Sequence, residues 1–404
     1  MPLAANVRKL TYCLFVLTII SLLDGCSGTA TEKQGYNSDA PYRGNFERTG
    51  VFESGELHTT FSFKWKSNVA QTIFSAPISV NNLVYIGSGD RHLYALATGT
   101  GDEKWKFEAK GSIASSPTVD HGEVFIGSLD GSVYALDAES GMQRWSFLTK
   151  KGTEPPRIPS LGDTGVMSSP IVNDGVVYFG SIGGRIYALS EENGKELWEF
   201  NAENQIASSQ ALSQNKVLFT TSDEIYALNA KTGEKEWVEK IGDDGVFLGT
   251  PAVADGTVFL NDGQNIIALD VNTGNRKWDA KIGKQEILDN SVAVKNGMVI
   301  FCDMDGCQAV DEQTGHNKWH YGPGKNKGAA TLPTIVGDEI LYIDTDDDIV
   351  VIDLNSGSFK EKFNLQNGTA LMPTSIAVAN GAIYLGMQGG SDASLFAIQS
   401  GSST

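Results

Sequence analysis

The chain has 404 residues, 41% of them hydrophobic, enough to bury a large core in one repeat domain or two ordinary ones. Asp and Glu number 49 against 31 Lys and Arg, a net charge of −18 with no Lys/Arg cluster. Nucleic acid and anionic lipid head groups are therefore excluded as partners for the body of the protein.

Residues 1–25 read as a lipoprotein signal peptide. Arg8-Lys9 form a positive start, and Leu10 to Leu23 carry no charge, a run too short to span a bilayer. Leu22-Leu-Asp-Gly-Cys-Ser27 then resembles a bacterial lipobox, with Asp24 in place of the usual small residue and Cys26 as the lipid acceptor. Ser27 after the acceptor points to an outer-membrane anchor on the periplasmic side of a Gram-negative cell. Residues 26–60 follow as lipidated cysteine, small polar tether and lead-in, the last written Tyr42-Arg-Gly-Asn-Phe-Glu-Arg-Thr-Gly50.

From residue 61 a period takes over. Tryptophans at 65, 105, 145, 198, 237, 278 and 319 are spaced by 40, 40, 53, 39, 41 and 41 residues. Each of Trp105, Trp145, Trp198, Trp237, Trp278 and Trp319 follows a turn of the form Thr/Ser/Asn-Gly-x-x-x-Trp, as in Thr100-Gly101 and Ser140-Gly141. A further copy, Ser356-Gly357, has Glu361 where Trp would stand. Before each turn runs a strand like Leu93-Tyr-Ala-Leu96, and before that another like Val84-Tyr-Ile-Gly87. A short strand opened by proline precedes these, as at Ser116-Pro117 and Met372-Pro373, with Gln210 and Ser291 replacing proline in two copies.

Each copy thus predicts a four-stranded antiparallel blade, and eight copies of the three inner strands occur. The last copy stops at Ser400-Gly401 without its Trp strand, which residues 61–67 supply. The expectation is an all-β, monomeric, eight-bladed propeller over residues 61–401, closed by the N-terminal strand, with all seven tryptophans packed between blades.

On this Tyr-Ala-Leu-Asp-x-x-Thr-Gly-x-x-x-Trp pattern the chain resembles the PQQ-like repeat family. A lipobox followed by eight blades is similar, within it, to the propeller lipoproteins of the outer-membrane β-barrel assembly machinery. That resemblance implies a membrane-anchored, non-enzymatic scaffold whose partner is the barrel-inserting outer-membrane protein. Residues 42–50 are similar instead to the lead-in of stand-alone PQQ-like repeat proteins.

Two alternatives come from other classes. One is a PQQ-dependent oxidoreductase, but the adjacent Cys-Cys that the dehydrogenases hold over the quinone is missing, as is any Cys-x-x-Cys-His haem site, so no cofactor is expected. The other is a surface-exposed, ligand-binding propeller.

No catalytic or metal-binding residue is assigned. His316 and His320 lie about 13 Å apart along a strand, too far to share one ion. Asp344-Thr-Asp-Asp-Asp348 opens like a calcium loop but has Ile349 and Asn355 where Gly and Glu are needed, so an acidic hairpin turn is expected, with Ca²⁺ as the alternative. Cys302 and Cys307 flank a four-residue turn and should face each other across a hairpin, as a disulfide or as two buried thiols. The turns between second and third strands carry Asp90, Asp130, Asp223, Asp262 and Asp303 among others, which would make one face acidic. The long interval after Trp145 places a proline-bearing loop on that face, with Arg157, Ile158 and Leu161 as candidate partner contacts.

Overall fold

The computed structural model describes residues 41–52, 60–70, 72–151, 164–202, 204–241, 249–282, 291–324, 328–365, 372–389 and 392–401. Among these residues the strands form eight sheets, each the blade of a propeller. Blade two shows the plan: Thr118–Asp120 innermost, then Glu123–Gly127, Ser132–Asp137 and the outer Gln143–Leu148, each antiparallel to the next. Burial explains the order. The second and third strands are buried on both faces, whereas an outer strand such as Glu103–Glu108 alternates between exposed and half-buried residues, a sheet edge facing water.

The ring closes as the missing last strand requires. Thr60–Ala70 pairs antiparallel with Asp392–Gly401, from Thr60 opposite Gly401 to Ala70 opposite Ala393. The C-terminal blade therefore takes its outer strand from the N-terminal side, and no truncated edge is left there.

Each tryptophan reaches across to the following blade. The indole N–H of Trp65, Trp105, Trp145, Trp198, Trp237, Trp278 and Trp319 donates to a backbone carbonyl just past the next blade's third strand, at 2.7–3.1 Å. The buried donor is satisfied and the ring covers the seam between blades.

A second circumferential chain runs nearer the axis. The amide of Ala76 donates to Ser116 Oγ, Ser116 to Ser169, Ser169 to Ser209, Ser209 to Thr250 and Thr250 to Ser291, at 2.9–3.2 Å. This corrects the proline register in two blades. Ser291 holds the hydroxyl position, so Val292 stands where blades one, two, three, five and seven have proline. In the eighth blade Ile376 does, immediately before the innermost strand Ala377–Ala379. Pro373 belongs instead to an added strand, Met372–Pro373, paired with Gln388 and Met387.

Candidate functional site

The lead-in is part of the propeller. The innermost strands of blades four to seven are Ala211–Ser213, Ala252–Ala254, Ala293–Lys295 and Thr334–Val336. Their central residues present backbone N–H groups toward the axis, and the lead-in satisfies them in turn. Phe46 O accepts from Leu212, Glu47 O from Val253, Thr49 O from Val294 and Gly50 O from Ile335, at 2.8–2.9 Å. Val51–Phe52 then runs parallel to blade seven's innermost strand.

Arg48 fixes this plug. Its side chain is wholly buried, and the guanidinium donates to Gln210 O at 2.9 Å, to Ser169 O and Pro170 O at 3.4 and 3.3 Å, and to Tyr42 O. The Tyr42 ring lies 5.4 Å away and adds a cation–π contact. Burial pushes the guanidinium down to about 9, so it remains charged at neutral pH. Arg43 ties the plug to blade six through Val292 O and holds Arg48 O at 3.2 Å. The cavity left beside Tyr42, Arg43, Leu332 and Pro333 measures about 10 Å³, room for one water. A larger recess of about 520 Å³ opens between blades three and four, with Phe46, Trp198, Gln214 and Lys216 among its walls.

The Asp-bearing turns are built into the hairpins. Asp130 accepts from Ser132 N at 2.7 Å, Tyr134 Oη at 2.8 Å and Lys110 N at 3.0 Å, and Asp90 repeats the first two bonds with His92 N and Tyr94 Oη. Burial pushes both carboxyls up, but the hydrogen bonds outweigh it and hold both below the usual range.

At Asp344 to Asp348 the expected acidic turn holds a cation from its own blade. Lys362 Nζ lies 2.7 Å from Asp344, 2.6 Å from Asp348 and 3.7 Å from Asp346. Burial opposes the charge on Lys362, yet the bonds from Asp344 and Asp348 raise its pKa. An ammonium thus pairs with the acidic turn from within its own blade.

Cys302 and Cys307 are opposed in register and joined, with sulfurs 2.03 Å apart. Cys26, Arg157, Ile158 and Leu161 lie outside the described residues. The roles of Arg48 and Lys362 were not foreseen from the sequence; for Lys362 the signal was present, since the hairpin register sets an outer-strand lysine beside that turn.

Eight blades, with a tryptophan across seven of the eight seams, define a propeller of PQQ-like repeats. The chain belongs to the family described as outer membrane protein assembly factor BamB, which it matches over residues 62–181, 159–301 and 251–375. Curated relatives include the BamB of Salmonella typhimurium, 32% identical over 98 residues, or 22% of this chain and 24% of that protein. They also include the quinone 1-butanol dehydrogenase of Thauera butanivorans, 36% identical over 86 residues, 19% of this chain and 14% of the enzyme. The matched stretches thus span less than a quarter of either relative's length.

Among solved structures, BamB from Moraxella catarrhalis superposes with a TM-score of 0.66 at 20% identity, covering 84% of this chain and 98% of that one. A europium-containing methanol dehydrogenase gives 0.69 at 12% identity, covering 91% and 99%. At these identities the likeness is one of fold.

Proposed function

We propose that the chain is a lipid-anchored, non-enzymatic interaction scaffold working in outer-membrane β-barrel protein assembly. Cys26 would carry the anchor once residues 1–25 are removed, and residues 27–40 would tether the propeller to the periplasmic face of the outer membrane. The observation that carries this reading is the axial plug. Residues 46–52 bond to the inner strands of four consecutive blades, so the working surfaces are the propeller's faces and rim. The family membership supports the same reading. The chain has no adjacent cysteine pair to cover a PQQ ring. Arg157, Ile158 and Leu161 are the residues proposed to meet the partner. Affinity capture of the full-length lipoprotein from detergent-solubilised outer membranes should recover the barrel-inserting protein, and a variant with all three replaced by Ala should recover less; recovery of no barrel-assembly protein would overturn the proposal.

The second reading, a quinone-dependent oxidoreductase, is favoured by the identity shared with quinoprotein dehydrogenases. Dye reduction by the purified chain reconstituted with PQQ would establish it in place of the first.

A further inference from the structure

The corner between blades two and three has a chemistry not used by the reading above. Blade two's first hairpin turns at His121-Gly122, both with positive φ (43° and 78°). Glu191, from the end of blade three's third strand, lies against it. His121 Nδ1 is 3.0 Å from Asp120 Oδ2 and 3.1 Å from Glu191 Oε1, and the three atoms lie within 4.8 Å of one another. Both carboxylates are buried, while the imidazole covers them with 68% of its own surface exposed. Glu123 stands directly opposite Asp120 across the hairpin and adds a third acidic group.

The arrangement is particular to this corner. The turn position of His121 is held in the other blades by Asn81, Asp174, Gln214, Asp255, Asn296, Gly337 and Asn380, all at positive φ and none of them histidine. The position of Glu191 is Thr98, Ala138, Ala230, Val271 or Leu354 at other seams, and Glu312 at the seam of blades five and six, where the turn position facing it is Asp255 rather than a histidine. Glu191 is also fixed from behind, because its carbonyl accepts the indole N–H of Trp145 at 2.7 Å.

One ring nitrogen faces two carboxylate oxygens. A divalent cation at the same point would meet all three lone pairs at once. Tetrahedral Zn²⁺, with bonds of about 2.0–2.2 Å, holds its ligand atoms about 3.3 Å apart, close to the two separations found here. We propose that Asp120, His121 and Glu191 bind one first-row divalent transition ion of the Zn²⁺ class, with water in the solvent-facing fourth position, clamping blade two to blade three. The imidazole ligand selects against Ca²⁺ and Mg²⁺, which prefer oxygen.

The test uses the full chain stripped with EDTA and titrated with Zn²⁺ by calorimetry, with thermal unfolding alongside. One Zn²⁺ per chain should bind and raise the Tm, with excess Ca²⁺ failing to displace it. His121→Asn keeps a residue that tolerates the turn and should weaken Zn²⁺ binding at least about tenfold, as should Glu191→Gln, whereas His316→Asn should bind like the wild type. Absence of stoichiometric Zn²⁺ binding, or unchanged binding in both site variants, would overturn the proposal; an imidazolium bridging the two carboxylates without metal gives the first of these results.

Discussion

Gly101 lies against the indole of Trp65, so closely that a Cβ on it would come within 2.7 Å of the ring. The same pairing recurs around the propeller, through Gly141 with Trp105 to Gly357 with Trp319, at 2.5–2.7 Å. The Thr-Gly turn of one blade and the Trp of the preceding blade are thus two halves of one contact, and the glycine serves both its positive φ of 76° and the indole's approach. This explains Glu361. It occupies the Trp register of blade seven, opposite Val351, but the next blade draws its outer strand from Thr60–Ala70 and so has no such turn to receive an indole.

Gly101→Ala should therefore destabilise the protein by about 3 kcal/mol or more, combining left-handed strain with overlap. Gly297 shares the positive φ but has nothing within 4 Å, so Gly297→Ala should cost only about 1–2 kcal/mol. Urea midpoints would separate the two. In a Trp65→Ala background the extra cost at Gly101 should vanish, and its persistence would contradict the contact.

Replacing Arg48 by Met leaves a group of buried carbonyls without their shared donor. A loss of about 3 kcal/mol is expected, together with protease cleavage within residues 41–52 that the wild type resists. Arg48→Lys should recover part of the loss, since an ammonium cannot reach so many acceptors in one plane. The folded value of about 9 lies below the ordinary value of a guanidinium, so folded and unfolded chains are equally protonated at neutral pH and the difference between wild type and Arg48→Met should be flat there. Above 9 the unfolded chain holds more proton, and the wild type should gain stability relative to the variant.

The fold was legible because it repeats. Trp spacing, glycine turns and the strand missing after Gly401 determine blade number and closure, and each is a local pattern copied along the chain. The plug is neither periodic nor local. Arg48 finds its carbonyls 121 to 162 residues away, and nothing within residues 41–52 marks it as buried. The Asp120–His121–Glu191 corner is hidden for the same reason, with 70 residues between His121 and Glu191. The proline register slipped where a hydroxyl, rather than a proline, is the residue the neighbouring blade uses.

Asp130 supplies a test in pH. Its carboxyl titrates below the ordinary 3.8 in the folded protein, so its contribution is fully present above that value and is lost as pH falls through the folded one. Asp130→Asn should be less stable than the wild type at neutral pH, and the gap should close as pH drops below about 4. A gap that is constant down to the acid transition would show that the hydrogen bonds from Ser132 and Tyr134 do not depend on the charge.

Lys362 decides whether the acidic turn of blade seven is stable by itself. Asp344 and Asp348 are almost fully buried and both contact its ammonium, so Lys362→Met would leave them facing each other and Asp346 without a cation. Because the lysine side chain is 36% exposed, water would soften the loss, and about 2 kcal/mol is expected rather than the full penalty of a broken buried pair. Millimolar Ca²⁺ should then raise the Tm of Lys362→Met while leaving the wild type unchanged, since only the variant offers alternating carboxylates with no internal cation among them. An equal response of both proteins would mean that the ammonium does not hold the site against Ca²⁺.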